Sequence, residues 1–339
     1  MLVMIDETIL SGIADAIRML NGTSSSYGVN QLQNAILALP VGSTNVADAI
    51  AGYGIPSRIV GESAREIPVN TFARVSAIEA VVYQNVRSIG ATAFYSCPNL
   101  SFAMFPRCTS INRSAFAGCT ALTEISIPNL EVMVANAFEG CVALKSIRIP
   151  KCTSIPNYAF YGCLALSLAV LDACEAIGST AFYECRSLLT VSAISCQTIY
   201  SNAFDGCIAL SKLLAPGTLT VGASAFYRCR SLTEVNMPYC SIVNPNAFYG
   251  CQSLSVISIP RCTAIGNTAF AGCSALTSVN LTRVVSVPPL GNGAFNSTPI
   301  GAPSLFSEEG FVYVPELLYS QFLAASNWSL ISSQIISVV

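Results

Sequence analysis

Nine phenylalanines, Phe94, Phe116, Phe138, Phe160, Phe182, Phe204, Phe226, Phe248 and Phe270, follow one another at an unbroken interval of 22 residues. Each sits in the frame Ala-Phe-x-x-Cys-x-x-Leu, followed by an alternating apolar run that often ends at proline, as in the stretch from Ile89 to Pro106. A fixed interval of this size marks an array of units that cannot each bury a core alone and must stack on their neighbours. The recurrent letters are therefore scaffold, and any function sits at the positions that vary.

One unit, taken at Phe116, shows how the frame folds. Ala115, Phe116 and Cys119 are expected on one side of a short helical turn, with Leu122 following inward. Ile125 and Ile127 alternate with Glu124 and Ser126, which predicts a strand buried on one face. Pro128 ends that strand, where a missing backbone donor does little harm. Met133, at the position of Ile111, Ile155, Ile177, Ile199 and Ile265, returns the chain to the core.

Composition narrows the partners. Only 10% of residues are charged, against about 25% in an ordinary domain, so the polar surface is mostly Ser, Thr and Asn. Net charge is -2 with no basic run, which removes nucleic acid as an expected partner. No apolar run reaches the roughly 18 residues of a membrane span. The stretch from Met1 to Leu20 carries Asp6, Glu7, Asp15 and Arg18 where a Sec-type leader needs an apolar centre.

The fifteen cysteines fall into two ladders. Cys97, Cys119, Cys141, Cys163, Cys185, Cys207, Cys229, Cys251 and Cys273 keep the repeat interval. Cys108, Cys152, Cys174, Cys196, Cys240 and Cys262 keep it at an offset of 11 residues, with Leu130 and Thr218 in the missing rungs. A position that accepts leucine asks for a buried group, and free cysteine behaves as a small hydrophobe. There is no histidine and no Cys-x-x-Cys pair, so zinc spacing is absent. Buried free thiols are expected, with structural disulfides as the alternative that the odd count of cysteines argues against, and with no metal and no cofactor.

The ends differ from the array. Within residues 1–40, Ile9, Ile13, Ile17 and Leu20 fall at helical spacing after Asp6 as N-cap, and Leu32, Ile36 and Leu39 mark a second helix ended by Pro40. Residues 41–62, rich in glycine, read as a linker. The solenoid is expected over 63–299, about ten to eleven repeats, opening on an atypical first repeat at Phe72 with Val75 and Ile78 in the cysteine and leucine positions. The interval stretches to 25 residues between Phe270 and Phe295. Residues 300–339 read as a C-terminal cap, with the single tryptophan, Trp328, over the last repeat face or, in the alternative reading, held out for a ligand.

Two outward sets remain. On the strand face, Phe102 and Met104, and Leu168 and Val170, form apolar clusters of the kind that mark contact surfaces. The residue after each repeat phenylalanine is Tyr95, Tyr161, Tyr183, Tyr227 and Tyr249, with Ala117, Glu139, Asp205 and Ala271 between. These rings either lie over their neighbours or form a stripe for a partner or glycan. Carboxylates such as Glu124, Asp172 and Glu184 share no recurrent pairing, so the facing acids of a glycosidase are missing, and no catalytic residue is assigned.

The unit Ile-x-x-x-Ala-Phe-x-x-Cys-x-x-Leu-x-x-Ile-x-Ile-Pro, matched closely from Ile111 to Pro128, resembles the BspA-like class of leucine-rich repeats from about Ile67 to Phe295. The resemblance implies a right-handed α/β-type repeat solenoid with a 22-residue period and a role in adhesion or protein binding at bacterial surfaces. Ile13-Ala14-Asp15-Ala16-Ile17-Arg18 looks like a module at the start of phage and prophage tail-associated proteins. Tyr313-Val314-Pro315, Asn327-Trp328-Ser329 and Gln334-Ile335 look like the cap on repeats of that provenance. These resemblances imply a non-enzymatic tail-fibre, baseplate or decoration protein of a virion assembled in the host cytoplasm. Its N-terminal helices would bind other virion or surface proteins, its solenoid a host-surface protein or glycan, with homo-oligomerisation open. The alternative is a bacterial cell-surface adhesin of the same class, and a third reading is a carbohydrate-active enzyme on a repeat scaffold.

Overall fold

A computed structural model describes residues 58–61, 64–305 and 307–339; the expected helices of residues 1–40 and most of the 41–62 segment lie outside the described residues. The chain divides into two compact units, Met1–Leu144 and Lys145–Val339. Each is a parallel β-solenoid with one repeat per coil.

In the first unit the longer strands Arg58–Gly61, Ala80–Tyr83, Phe102–Met104 and Glu124–Ser126 form one parallel sheet. The two-residue strands Glu66–Ile67, Ser88–Ile89, Ser110–Ile111 and Val132–Met133 form a second. Arg58–Gly61 pairs with Ala80–Tyr83, so the strand ladder starts inside the segment read from sequence as a linker. In the second unit Ser146–Arg148, Leu168–Val170, Thr190–Ser192 and Lys212–Leu214 make one sheet. Glu234–Asn236, Val256–Ser258, Ser278–Asn280, Phe311–Pro315 and Ile335–Val338 make another. Six short strands from Ser154–Ile155 to Ala264–Ile265 line the flank.

Register follows the period: Ile89 faces Ile111 and Ile125 faces Ala103. A slip of one residue would turn every inward side chain outward, which is why an array with one buried face cannot tolerate an insertion within a strand.

The Ala-Phe segment is not the short helical turn that its spacing predicts. It is a run of tight turns with positive φ at two points, as at Ser114 (53°) and Gly118 (74°). These reversals make backbone donors alternate. Ala115, Ala117 and Cys119 donate within their own coil, to Asn112, Ser114 and Phe116. Ser114, Phe116 and Gly118 donate to Ala135, Ala137 and Glu139 of the next coil. A helix would use all of these donors internally and leave neighbouring coils unjoined, so the turn form wins because it satisfies buried backbone groups on both sides. The α-helix among the described residues lies elsewhere, at Tyr319–Ala324 (α1).

The core is a file of parallel rings. In the first unit Phe94 and Phe116 stack at 4.9 Å and Phe116 and Phe138 at 5.3 Å. In the second unit the file runs from Phe160 through Phe182, Phe204, Phe226, Phe248 and Phe270 to Phe295, with spacings of 5.0 to 5.5 Å. It ends on Trp328, fully buried, 6.2 Å from Phe295 and donating its indole N–H to the Pro288 carbonyl at 2.7 Å. This acceptor lies within the stretched interval between Phe270 and Phe295.

All fifteen cysteines are buried, and none is joined in a disulfide. The first ladder also hydrogen-bonds. Cys119 Sγ donates to the Phe94 carbonyl at 3.0 Å, Cys141 to Phe116 and Cys229 to Phe204 at 3.1 Å. That carbonyl already accepts the amide of its own coil, as Phe94 does from Cys97, so the thiol occupies a second lone pair that alanine would leave empty. In the second ladder the thiol turns to a carbonyl two residues on, Cys174 to Ala176 at 3.1 Å. Thr218, in a missing rung, uses its hydroxyl in the same spirit, donating to Ala215 at 2.9 Å. Burial pushes the Cys141 and Cys196 thiols up to about 12.

A further seam is formed by hydroxyls after the repeat leucine. Ser101, Thr123, Ser167, Ser211 and Ser255 each donate to a carbonyl one coil back, at 3.0 to 3.3 Å. This accounts for part of the serine and threonine content without any ligand.

Candidate functional site

The strand-face clusters are placed as follows. Phe102 and Met104 are half-buried and lie in register between Ala80 and Val82 on one side and Glu124 and Ser126 on the other. Leu168 and Val170 are half-buried between Ser146 and Arg148 and Thr190 and Ser192. Each cluster is only one or two strands wide, so neither is a broad apolar face.

The tyrosine column behaves differently. Tyr95 is half-buried with the Arg74 guanidinium 5.8 Å from its ring centre. In the second unit Tyr161 stacks on Tyr183 at 5.2 Å and 4°, and Tyr227 on Tyr249 at 4.9 Å and 10°. Rings stacked this way cover one another's faces and present edges and hydroxyls to solvent. Between the two pairs stands Asp205, whose carboxylate accepts from Asn202 Nδ2 at 3.2 Å. Burial raises the Asp205 carboxyl above its usual range, with Glu184 adding to the rise and Asn202 and Arg228 opposing it. The same carboxylate raises the Tyr183 hydroxyl.

Next to this column lies the second left-handed position of each coil. Glycine holds it at Gly162, Gly206, Gly250 and Gly272 in the second unit, with φ from 68° to 77°. Glu184 and Arg228 hold it at 58°, in a region that costs an L-residue roughly 1–2 kcal/mol. Both side chains lean over the glycine of the following coil. A Cβ on Gly206 would meet Glu184 Oε1 at 2.7 Å, and one on Gly250 would meet Arg228 Cγ at 3.7 Å. Glu184 also receives Arg186 Nε at 2.5 Å, and the Arg228 guanidinium lies 5.0 Å from the Tyr227 ring centre. Sequence reasoning passed over Glu184 and Arg228 as site residues; the available signal was that they stand where other coils have glycine.

No cluster of metal-ligating side chains occurs among the described residues, and no helix there is long and apolar enough to cross a membrane. The tyrosine column offers hydrogen-bonding groups and ring edges at the surface.

With repeat, register and surface in place, the family model for the BspA type leucine rich repeat region matches residues 51–167, 153–241 and 197–308. The chain belongs to the BspA-type leucine-rich repeat family. Solved structures similar to this leucine-rich repeat chain include a leucine-rich repeat protein from Bacteroides ovatus, at 19% identity over 83% of this chain and 92% of that one, TM-score 0.43. A leucine-rich cell surface protein from Faecalibacterium prausnitzii is similar at 22% identity over 82% and 90%, TM-score 0.38. A T. pallidum leucine-rich repeat protein is similar at 22% identity over 52% and 78%, TM-score 0.39. Comparison with the curated proteins gave no match.

The left-handed backbone of Glu184, at φ 58°, makes a testable claim about stability in this BspA-type chain. Glu184→Gly relieves the backbone cost of roughly 1–2 kcal/mol while adding unfolded-state freedom worth roughly 0.5–1 kcal/mol. The expected result is a variant as stable as the parent or up to about 1 kcal/mol more stable, measured by urea unfolding. Gly272→Glu, lacking any compensation, is expected to destabilise.

Proposed function

We propose that this BspA-type chain is a non-enzymatic adhesive scaffold, displayed on a particle or cell surface and binding through its exposed variable positions. The observation that carries the reading is the division of labour within each coil. In each of the nine regular repeats the four residues of the Ala-Phe-x-x-Cys-x-x-Leu frame are buried, so much of what differs from coil to coil faces solvent. That is how a repeat protein presents a composite surface without changing its core.

The finer reading is a component of a phage or prophage particle, attached through residues 1–40. It rests on the likeness of the two ends of the chain to tail-associated proteins. The second reading, a bacterial cell-surface adhesin, rests on membership of the repeat family itself. Gold-labelled antibody against the full chain separates them. Gold on purified particles, lost when residues 1–40 are deleted, supports the first. Gold on the cell envelope supports the second and removes the first. Gold on neither overturns both.

A further inference from the structure

The longer strands of the second unit do not form one sheet. One sheet ends at Lys212–Leu214 and the next begins at Glu234–Asn236, although these strands lie 22 residues apart like the pairs before and after them. On either side of this junction the two coils stay joined. In the turns Phe204 donates to Ala225 at 2.8 Å, Gly206 to Tyr227 at 2.9 Å and Ser231 to Ile208 at 3.2 Å. On the flank Thr220 and Val221 pair with Ile242 and Val243, and Ser241 donates to Leu219 at 2.8 Å. Only the strand side is parted.

The missing bonds can be named from the coils that make them. The amides of Ala193 and Met237 donate forward, to Leu214 at 2.8 Å and to Ser258 at 2.9 Å. Ala215 holds the equivalent position and is buried, yet among the described residues its amide reaches no acceptor. The amides of Ser211 and Ser255 donate one coil back, to Leu189 at 3.1 Å and to Thr233 at 2.9 Å, and their hydroxyls go to the same carbonyls. Thr233 makes neither bond to Ser211. A buried donor without a partner costs free energy, so this junction is held more weakly than its neighbours.

The interior supplies a physical reason. At the inward position just after the strand, Ala193 and Ala215 stand where other coils of this unit carry Ile149, Leu171, Met237, Ile259 and Leu281. Two successive coils therefore bury less apolar side chain on this side than the rest. Leu213, inside the strand, is half-buried, whereas Ile147, Ala169, Val191, Val235, Ile257 and Val279 in that position are buried. Each coil is stabilised by its neighbours, and the segments with fewest buried apolar contacts open at the lowest free energy.

We propose that the second unit opens at this junction on its strand side, residues 211–215 parting from residues 233–237 while the flank pairs and the Ala-Phe turns hold as the pivot. The opening bends the solenoid away from its strand face and brings Val235 into contact with solvent without unfolding the unit. It goes beyond the scaffold reading and does not depend on what the chain binds.

Thiol trapping on the full chain tests it. Val191→Cys, Val235→Cys and Val279→Cys each place a thiol of similar size at the same buried strand position in a different coil. Iodoacetamide is added at pH 8 without denaturant, and labelling of the substituted position is followed by peptide mass spectrometry. Val235→Cys is expected to label roughly tenfold faster or more than either of the others, at a rate that rises with urea much less steeply than global unfolding does. Hydrogen exchange on the unsubstituted chain checks the result without a variant: residues 233–237 are expected to exchange roughly tenfold faster than residues 189–193 and 277–281. The hinge is overturned if Val235→Cys labels no faster than the other two, if its labelling follows urea as steeply as global unfolding, or if the three segments exchange at equal rates.

Discussion

Phe204→Ala is expected to cost the second unit about 3–5 kcal/mol, a large share of the roughly 5–15 kcal/mol that holds a domain together. Phe204 is fully buried and its ring lies 5.2 Å from both Phe182 and Phe226. Truncation therefore removes two stacking contacts at once and opens a cavity that the flanking coils cannot close, because the strand and turn ladders fix the spacing between them. In a solenoid each coil is stabilised by its neighbours, so the loss weakens coupling at mid-file as well as local packing. Heating followed by circular dichroism is expected to show a midpoint lowered by about 10 °C and a broader transition. Tyr183→Ala, at the surface, is expected to shift the midpoint by a small fraction of that. Equal shifts for the two variants would contradict the ring file as the main source of cohesion.

The second large effect is alkaline unfolding. In the second unit burial raises Cys174 and Cys262 to about 11, and Cys196 and Cys240 to about 12, from an ordinary thiol value of 9.0. A thiol whose pKa is higher folded than unfolded contributes stability that is complete below pH 9 and is lost as pH rises toward the folded value. Each such thiol removes about 1.4 kcal/mol per pH unit in that window, and four act together, so one unit of pH costs the second unit on the order of 5 kcal/mol. Cooperative loss of the β signal between pH 9 and 11 is expected, coincident with the appearance of reactive thiol toward a disulfide reagent. At pH 8 the same reagent is expected to find no thiol until denaturant is added. A β signal unchanged to pH 11, or thiols titrating without unfolding, would contradict burial as the cause.

Much of the fold was legible in the residues themselves, because packing in a solenoid repeats with the sequence. Ile125 and Ile127 alternate with Glu124 and Ser126, and the strand Glu124–Ser126 is where that alternation places it. The cysteine ladders read as buried free thiols because leucine and threonine substitute within them, and burial of all fifteen agrees with that. The Ala-Phe segment was not legible in the same way. Its apolar spacing fits a helical turn, but spacing reports only which side chains point inward, not where backbone donors go. Contacts between coils decided that, through alternate donors such as Phe116 to Ala137.

The candidate site divides along the same line. Tyrosine at the position after the repeat phenylalanine was visible as a stripe, and so was Asp205 as an interruption of it. That the rings pair as Tyr161 with Tyr183 and Tyr227 with Tyr249 depended on stacking one coil over the next. Glu184 covers Gly206 only because a backbone reversal at φ 58° points it that way.

The sequence by itself determined the period, the inward face and the chemistry of the core, since each of these is a property of one coil repeated. Tertiary structure alone decided which outward side chains meet. Residues 22 apart in the chain become neighbours at about 5 Å only once the strands are in register, as Tyr161 and Tyr183 do.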